Sequence, residues 1–259
     1  MTTSPDRRRT PLRSTCAQPH DCSPEVRLAV LQQTPFFADL DPDGIAGVDA
    51  RTVSLSWGAG DAVYTEGETA EHLSVVAHGR AKAFRDTEDG RTVVVDLLAP
   101  GDFFGGFSTL GLPVYTETVQ AVDTLCALRI SASDFRDILL RFPAVALRVV
   151  DDLSDQLLQA RTTVMHQATR TVEERVAATL LRIADKFGEA GSGFGAGRAA
   201  GTLLQLPLTR ADLAGMTGST PESVSRVMSR LRKDGIIDSG RRWTAVLDRD
   251  RLADIATPV

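Results

Sequence analysis

The residues best suited to chemistry lie in one stretch near the end of the chain, LTRADLAGMTGSTPESVSRVMSRLRKDGII, residues 208–237. Thr209 stands where a side-chain oxygen would cap a first helix, and Thr220 followed by Pro221 stands where a second helix would begin. Gly218 lies between the two, where the chain must turn sharply. Two short helices joined by such a turn predict a helix-turn-helix, whose second helix enters the major groove of DNA.

The second predicted helix has an apolar face and a polar face. The residues expected to be buried are Val224, Val227, Met228 and Leu231. On the polar face Arg226 can donate two hydrogen bonds to guanine, Glu222 can accept one from cytosine, and Ser225 can contact a base edge. Glu222 and Arg226 are four residues apart and could instead pair with each other on a solvated face. Within this motif, base reading is the favoured interpretation.

Residues around the reading face are placed to contact DNA phosphates, since basic and hydroxyl side chains donate hydrogen bonds to phosphate oxygens. The residues expected to do so are Thr209, Arg210, Thr220, Arg230 and Lys233. Between residues 209 and 243 there are seven basic and four acidic residues, whereas the whole chain has a net charge of −5. The negative net charge argues against a protein that coats nucleic acid along its whole surface, but it does not exclude a local basic site.

The element before this motif is a predicted long helix, residues 143–168. Its apolar residues recur at alternating spacings of four and three, as in a coiled-coil seam. The predicted seam consists of Ala146, Val150, Leu153, Leu157, Ala160 and Val164. Charged residues flank the seam, and the helix is too long to cover one small domain, so a homodimer is predicted. Packing of the helix on its own domain is the alternative.

Residues 25–142 are predicted to form a sensor domain rich in β-structure. Short apolar runs such as Val53–Trp57 and Leu125–Ile130 are separated by Gly-bearing turns at intervals of roughly 8–12 residues, which indicates a sandwich or barrel. Residues 169–259 form the predicted winged helix-turn-helix domain, within which the Gly-rich segment 188–201 is interpreted as a flexible loop.

Composition excludes several classes of protein. The chain has 259 residues, of which 42% are apolar and 24% charged, as in a globular protein of two domains. No apolar run approaches the ~20 residues of a membrane span, and no apolar segment follows the basic N-terminus as in a secretory signal. Three cysteines without disulfide-scaffold spacing fit the cytoplasm.

No motif of an enzyme is present. The sequence lacks GxSxG, Walker A, HExxH and dinucleotide-binding fingerprints. A metal-dependent cupin-like enzyme would need clustered histidines, and His72 and His78 are too few and too far apart. The chain is therefore not expected to be an enzyme.

The order of β-rich domain, long helix and helix-turn-helix resembles the CRP/FNR family of transcription regulators over residues 25–256. The resemblance includes GDFFG at 101–105, TVEERVAATLL at 171–181, and the glycines Gly60, Gly67 and Gly79. The recognition helix carries Glu222-Ser-Val-Ser225-Arg226, similar to the E-x-x-S-R set of the FNR branch, whereas the CRP branch has an Arg where Pro221 stands.

The resemblance implies an α+β fold and a function. The expected fold is an N-terminal β-roll (a double-stranded β-helix like those that bind cyclic nucleotides), a long dimerisation helix and a C-terminal winged helix-turn-helix. The expected function is sequence-specific regulation of transcription by a homodimer. Its expected partners are double-stranded DNA, carrying an inverted pair of TTGAT-like half-sites, and RNA polymerase.

The resemblance also allows the residues that bind cAMP in some family members to be compared with this sequence. Members that bind cAMP carry a Glu shortly after the GDF-x-G turn and an Arg-Ser or Arg-Thr pair further on. Gly106 stands in the Glu position, and Tyr115-Thr116 stands in or near the Arg position, followed by Glu117, which would repel a phosphate. Binding of cAMP is therefore not expected.

Residues 1–24 are predicted to be a flexible arm with thiols and an imidazole, Cys16, His20 and Cys22. Such groups suit zinc, an iron–sulfur cluster or haem. The arm is similar to that of oxygen-sensing FNR proteins, which supplies three Cys to a cluster with a fourth from the β-roll. Here the arm supplies only two cysteines, Cys16 and Cys22, so His20 or a carboxylate would be needed as a further ligand. The β-roll ligand would be Cys126, which lies two residues before the position of the FNR ligand.

A response to oxygen, redox state or nitric oxide is the resulting expectation. For the arm, the alternative is that the thiols are idle or form a reversible redox pair. For Cys126, the alternative is a small hydrophobic core residue. For the whole protein, the alternative is an effector-independent regulator that is controlled by its abundance.

Overall fold

The structure, a computed structural model, describes residues 18–19, 22–88, 90, 92–106, 113–194, 199–240 and 243–257. It confirms the predicted α+β fold, with a β-roll, a long helix and a C-terminal helix-turn-helix with a wing. None of the helices within these ranges is long and apolar enough to cross a membrane.

Two antiparallel sheets and four helices make the first part of the chain. The strands are β1 (Gln18–Pro19), β2 (Thr52–Trp57), β3 (Ala62–Tyr64), β4 (His72–His78), β5 (Ala81–Asp86), β6 (Thr92–Leu98), β7 (Phe103–Gly105), β8 (Thr118–Ala121) and β9 (Leu125–Ser131). They are ordered β1-β2-β9-β4-β7 in one sheet and β3-β8-β5-β6 in the other. The helices are α1 (Pro24–Gln33), α2 (Pro42–Asp49), α3 (Ala132–Arg141) and α4 (Pro143–Thr169).

The central strand β9 is covered on both faces. Leu125 and Ala127 point into the apolar interior between the sheets. Leu128 and Ile130 belong to a second cluster, formed with α1, α2, α3 and the start of α4. This second layer supports the end of the β-roll from which the long helix leaves.

The C-terminal part is built on a four-stranded sheet and four helices. Its elements are α5 (Val172–Phe187), β10 (Glu189–Phe194), β11 (Ala199–Leu204), α6 (Arg210–Thr217), α7 (Pro221–Lys233), β12 (Ile237–Gly240), β13 (Trp243–Val246) and α8 (Arg249–Ala256). The sheet order is β10-β11-β13-β12, so β12 and β13 form the wing.

One prediction about an irregular segment was wrong. The described residues of 188–201 are not a loop, because β10 and β11 pair as a hairpin that extends the wing sheet through β13. Most of the predicted arm 1–24 lies outside the described residues, and within it β1 pairs with β2 and α1 begins at Pro24. Cys16 and His20 lie outside the described residues.

The helix-turn-helix packs against the β-roll of the same chain. Phe84, Val94 and Leu97 of the β-roll share one buried cluster with the C-terminal part. Lys82 pairs with Asp212 at 3.8 Å, and Lys186 with Asp102 at 2.6 Å. The two parts therefore meet through an apolar contact with ion pairs beside it.

Candidate nucleic-acid interface

The two helices of the helix-turn-helix begin and end at the residues that the sequence indicates. Thr209 caps α6 in a reciprocal capping box: its Oγ1 accepts from the Asp212 N–H at 3.0 Å, and its own N–H donates to the Asp212 carboxylate at 2.8 Å. Gly218 ends α6 with φ 57°, a left-handed conformation that glycine adopts at little cost. Thr220 caps α7, and Pro221 occupies its first turn.

The recognition helix α7 buries the predicted apolar face. Val224, Val227, Met228 and Leu231 are all buried, and they join the cluster that holds α5, α6 and α8. The helix is therefore fixed along one side, and its other side is turned to solvent.

The three predicted base-reading residues lie on the outer side of α7. Glu222 and Arg226 are exposed and Ser225 is half-buried. The closest hydrogen bond of Arg226 is a long one, from Nη2 to the Ser223 Oγ at 3.5 Å. No ion pair joins Glu222 to Arg226, both of which are described, so the two side chains do not pair on the helix surface.

The five residues expected to contact DNA phosphates differ in their exposure and in their partners within the chain. Lys233 is exposed at the end of α7. Arg230 pairs with Glu173 at 2.7 Å, and the Thr209 hydroxyl donates to Asp212. Thr220 donates to the Ser223 hydroxyl at 3.1 Å. Arg210 is half-buried, and this burial lowers its pKa.

The predicted seam on α4 is uncovered in this single chain. Val150, Leu153, Leu157 and Val164 are 59%, 38%, 54% and 66% exposed. Monomeric proteins rarely expose a contiguous apolar stripe of this kind.

Beside Gly106, the described residues of the β-roll are closely packed, whereas residues 107–112 lie outside the described part of the chain. The rings of Tyr64 and Tyr115 stack at 3.7 Å between centroids, and both residues are buried. A Cβ placed on Gly106 would lie 2.0 Å from the Cβ of Ala70 and 3.2 Å from the Tyr115 ring. No side chain fits at residue 106 unless its neighbours move.

Both parts of the chain match models of known domain families. Residues 54–142 match the cyclic nucleotide-binding domain, and residues 174–255 match the Crp-like helix-turn-helix domain. The transcriptional activator protein FnrL of Cereibacter sphaeroides is 31% identical over 222 residues, which cover 85% of this chain and 86% of FnrL. The chain belongs to the CRP/FNR family. Its members are transcription regulators and not enzymes.

Other relatives of this CRP/FNR regulator match it over most of its length, and a solved structure has the same fold. A probable transcriptional regulator of Lacticaseibacillus casei, flp, is 27% identical over 86% of this chain and 95% of its own length. The solved structure of FixK2 from Bradyrhizobium japonicum matches with a TM-score of 0.68 and 25% identity, covering 80% of this chain and 98% of FixK2.

The described residues of this CRP/FNR member offer few ligands for a metal cofactor. An iron–sulfur cluster of the FNR type needs four ligands. The described residues offer two reduced thiols, Cys22 just before α1 and the buried Cys126 on β9. Within the described ranges no group of three His, Cys, Asp or Glu side chains is placed to hold a metal ion. The described donors therefore do not fit a cluster or a structural zinc ion.

Cys126 lies on the face of β9 that packs towards α1, the helix that follows Cys22. Alternation along β9 turns Cys126 to the same face as Leu128 and Ile130, towards the helices α1 and α2. Burial raises the pKa of the Cys126 thiol, and the charge of the nearby Cys22 raises it further. A raised pKa keeps Cys126 protonated and slows its reactions as a nucleophile.

Proposed function

We propose that this CRP/FNR regulator binds specific DNA as a homodimer, with one α7 helix in each of two successive major grooves. The observation that carries the proposal is the outer side of α7, where Glu222 and Arg226 are exposed and not paired with each other. A recognition helix held by its buried face and presenting an arginine and a carboxylate can read base edges.

The proposed operator is an inverted pair of TTGAT-like half-sites. Arg226 would donate to guanine O6 and N7, Glu222 would accept from cytosine N4, and Ser225 would contact a neighbouring base. Lys233, Arg210 and the N-terminal turn of α7 would contact phosphates, which fixes register without reading sequence.

The proposed dimer forms through the seam on α4. Its exposed Val150, Leu153, Leu157 and Val164 recur with coiled-coil spacing, and a second copy of the same helix covers such a stripe by symmetry. We place the protein in the cytoplasm, where the DNA is, and RNA polymerase is the proposed further partner of the bound dimer.

The test measures binding of the purified full chain to a labelled duplex with the TTGAT palindrome, beside a scrambled duplex of equal length. Sedimentation of the protein alone gives its oligomeric state. We expect a dimer that binds the palindrome about 10³-fold more tightly than the scrambled duplex at physiological salt. Equal affinity for the two duplexes, or a monomer at the concentration where DNA binds, would contradict the proposal.

We further propose that the signal is oxidation of the half-buried Cys22, by oxygen, peroxide or nitric oxide chemistry, followed by a disulfide with the buried and less reactive Cys126. The placement of the two residues supports this proposal, because Cys22 directly precedes α1, and Cys126 lies on the face of β9 that packs towards α1 and α2. The close packing beside Gly106 favours a signal other than a cyclic nucleotide. With hydrogen peroxide as oxidant, two thiols lose two hydrogens to form a disulfide, and the peroxide becomes two waters.

An absorption spectrum with iron and sulfide assays, on protein purified without oxygen, examines the arm directly. A broad visible band with sulfide would indicate a cluster completed by residues such as Cys16 and His20, and a Soret band would indicate haem. For colourless protein, DNA affinity is compared before and after peroxide, with the Cys22→Ser variant as control. The proposal predicts a change in DNA affinity that the variant lacks, whereas unchanged affinity in both proteins favours an effector-independent regulator.

A further inference from the structure

Arg175, near the start of α5, joins three elements of the chain through backbone carbonyls. Its Nε donates to the carbonyl of Thr217 at 2.8 Å, and its Nη1 donates to the carbonyls of Arg170 at 2.7 Å and Gln167 at 3.2 Å. Gln167 lies in the last turn of α4, Arg170 in the link to α5, and Thr217 at the end of α6. One guanidinium thus connects the long helix with the helix-turn-helix.

Each of these carbonyls lacks the backbone donor that a continuing helix would supply. The residue four after Thr217 is Pro221, which has no N–H. The residue four after Gln167 is Thr171, whose N–H donates to the Glu174 side chain instead. In the same way, the N–H of Glu174 donates to the Thr171 hydroxyl and leaves the carbonyl of Arg170 available. Helix ends with such carbonyls favour a cation, and arginine offers several donors in a fixed plane.

Apolar packing joins the C-terminal part to the β-roll through Phe84, Val94 and Leu97, but it does not join the C-terminal part to α4 directly. The buried cluster of the C-terminal part includes no described residue of α4. A cleft of about 250 Å³ separates the last turns of α4 from α5 and α6, with Gln159 and His166 on one side and Arg182 and Met216 on the other. Apart from the bonds of Arg175, α4 approaches the helix-turn-helix closely where Gln167 meets Gly218. A Cβ on Gly218 would lie 3.1 Å from the Gln167 Nε2.

We propose that Arg175 is a positioning residue that fixes the angle between α4 and the helix-turn-helix, and thereby the half-site spacing that the dimer accepts. The spacing claim rests on the proposed function, whereas the angle claim concerns a single chain. Two recognition helices must sit about one DNA turn apart, roughly 34–36 Å. A loose joint lets that distance vary without changing any residue that contacts DNA.

The variants replace the guanidinium in graded steps. Arg175→Gln removes the charge and most donors, and Arg175→Lys keeps the charge but loses the planar arrangement of donors. Arg182→Gln is the matched control: it is exposed, lies seven residues along the same helix and lines the same cleft.

The first readout needs neither DNA nor a dimer. Spin labels are placed at Asp155 of α4 and Asp234 after α7, both exposed, in a chain whose three cysteines are serine, diluted with unlabelled chain. The proposal predicts a broader or shifted distance distribution for Arg175→Gln, an intermediate one for Arg175→Lys, and an unchanged one for Arg182→Gln. A distribution for Arg175→Gln that matches the parent chain would overturn the proposal.

The second readout uses palindromes whose half-sites are moved apart or together by one and two base pairs. The parent protein is expected to lose about tenfold in affinity for each base pair of misfit, and Arg175→Gln less than threefold, with unchanged affinity for a single half-site. An equally steep spacing preference in Arg175→Gln contradicts the proposal. So does equal weakening on every duplex together with a lower melting temperature, because that pattern indicates a purely structural role.

The two readouts separate this inference from the proposed function. If the parent chain has no preference for the palindrome, the proposed function fails, while the spin-label distances still decide whether Arg175 fixes the angle.

Discussion

Gly106 lies against Ala70 so closely that a β-carbon on Gly106 would come within 2.0 Å of the Ala70 β-carbon. The position where cAMP-binding relatives are expected to carry a glutamate therefore has no space for a side chain. Together with the stacked rings of Tyr64 and Tyr115, this contact argues against binding of a cyclic nucleotide beside Gly106.

We predict that cAMP neither binds nor stabilises the protein. Titration calorimetry is expected to give no binding heat, and the melting temperature should not change with added cAMP, since only a ligand that binds the native state raises it. Micromolar affinity would show that the β-roll interior rearranges.

We predict that Gly106→Ala destabilises the fold by about 1–3 kcal/mol, because the new methyl group overlaps Ala70. The matched control is Gly47→Ala in α2, where a Cβ meets nothing within 4 Å. That change should stabilise the protein by about 0.5–1 kcal/mol, as alanine favours a helix over glycine. Urea unfolding measures both, and equal effects would contradict the close contact at Gly106.

Tyr64 should make the fold sensitive to high pH. Burial first, and then the charges of Glu117 and Tyr115, raise the pKa of its phenol above the ordinary value. Since the folded state favours the protonated phenol, Tyr64 costs no stability below the unfolded pKa of about 10, and stability falls as the pH rises above it. Tyr64→Phe should therefore unfold much like the parent at pH 7, but at pH 11 it should be more stable by roughly 1 kcal/mol. An equal loss between pH 9 and 11 in both proteins would contradict this pKa.

Leu153→Glu should separate the dimer, because it buries a carboxylate in the centre of the proposed α4 seam. Operator affinity should fall at least about 100-fold although no residue that contacts DNA has changed. Gln159→Glu, on the side of α4 that lines the cleft with α5, is the control and should remain dimeric. Sedimentation and DNA titration test both variants, and an intact dimer of Leu153→Glu with normal affinity would refute the seam.

The helix-turn-helix could be predicted because its signals are local. Thr209, Gly218, Thr220 and Pro221 each act within their own turn, and all four have the predicted positions. The hairpin β10–β11 could not be predicted in this way, because a Gly- and Ala-rich segment has little strand propensity of its own and is ordered by pairing with β13.

Relationships over long distances in the sequence were also missed. The contact of α6 with β6 joins Gly215 to Val93 and Val94, and nothing in either segment indicates the other. Arg175 is another example, since its partners are backbone carbonyls, which carry no residue type. The base-reading residues were predicted from side-chain chemistry, and the exposed positions of Glu222 and Arg226 on α7 are compatible with that role.

Two substitutions on α7 separate base reading from phosphate contact. Arg226→Ala should lose about 1–3 kcal/mol of discrimination in each half-site, since it removes a bidentate contact to guanine. Lys233→Ala should weaken binding to every duplex alike and reduce the slope of log affinity against log salt by about two, one for each half-site of the dimer.

The most direct test of the central claim is the ratio of affinities for the TTGAT palindrome and a scrambled duplex, measured for the parent protein and for Arg226→Ala at one salt concentration. The account predicts a large ratio for the parent that falls close to one in Arg226→Ala, while Lys233→Ala keeps the ratio. An unchanged ratio in Arg226→Ala would contradict the assignment of α7 as the helix that reads the DNA sequence.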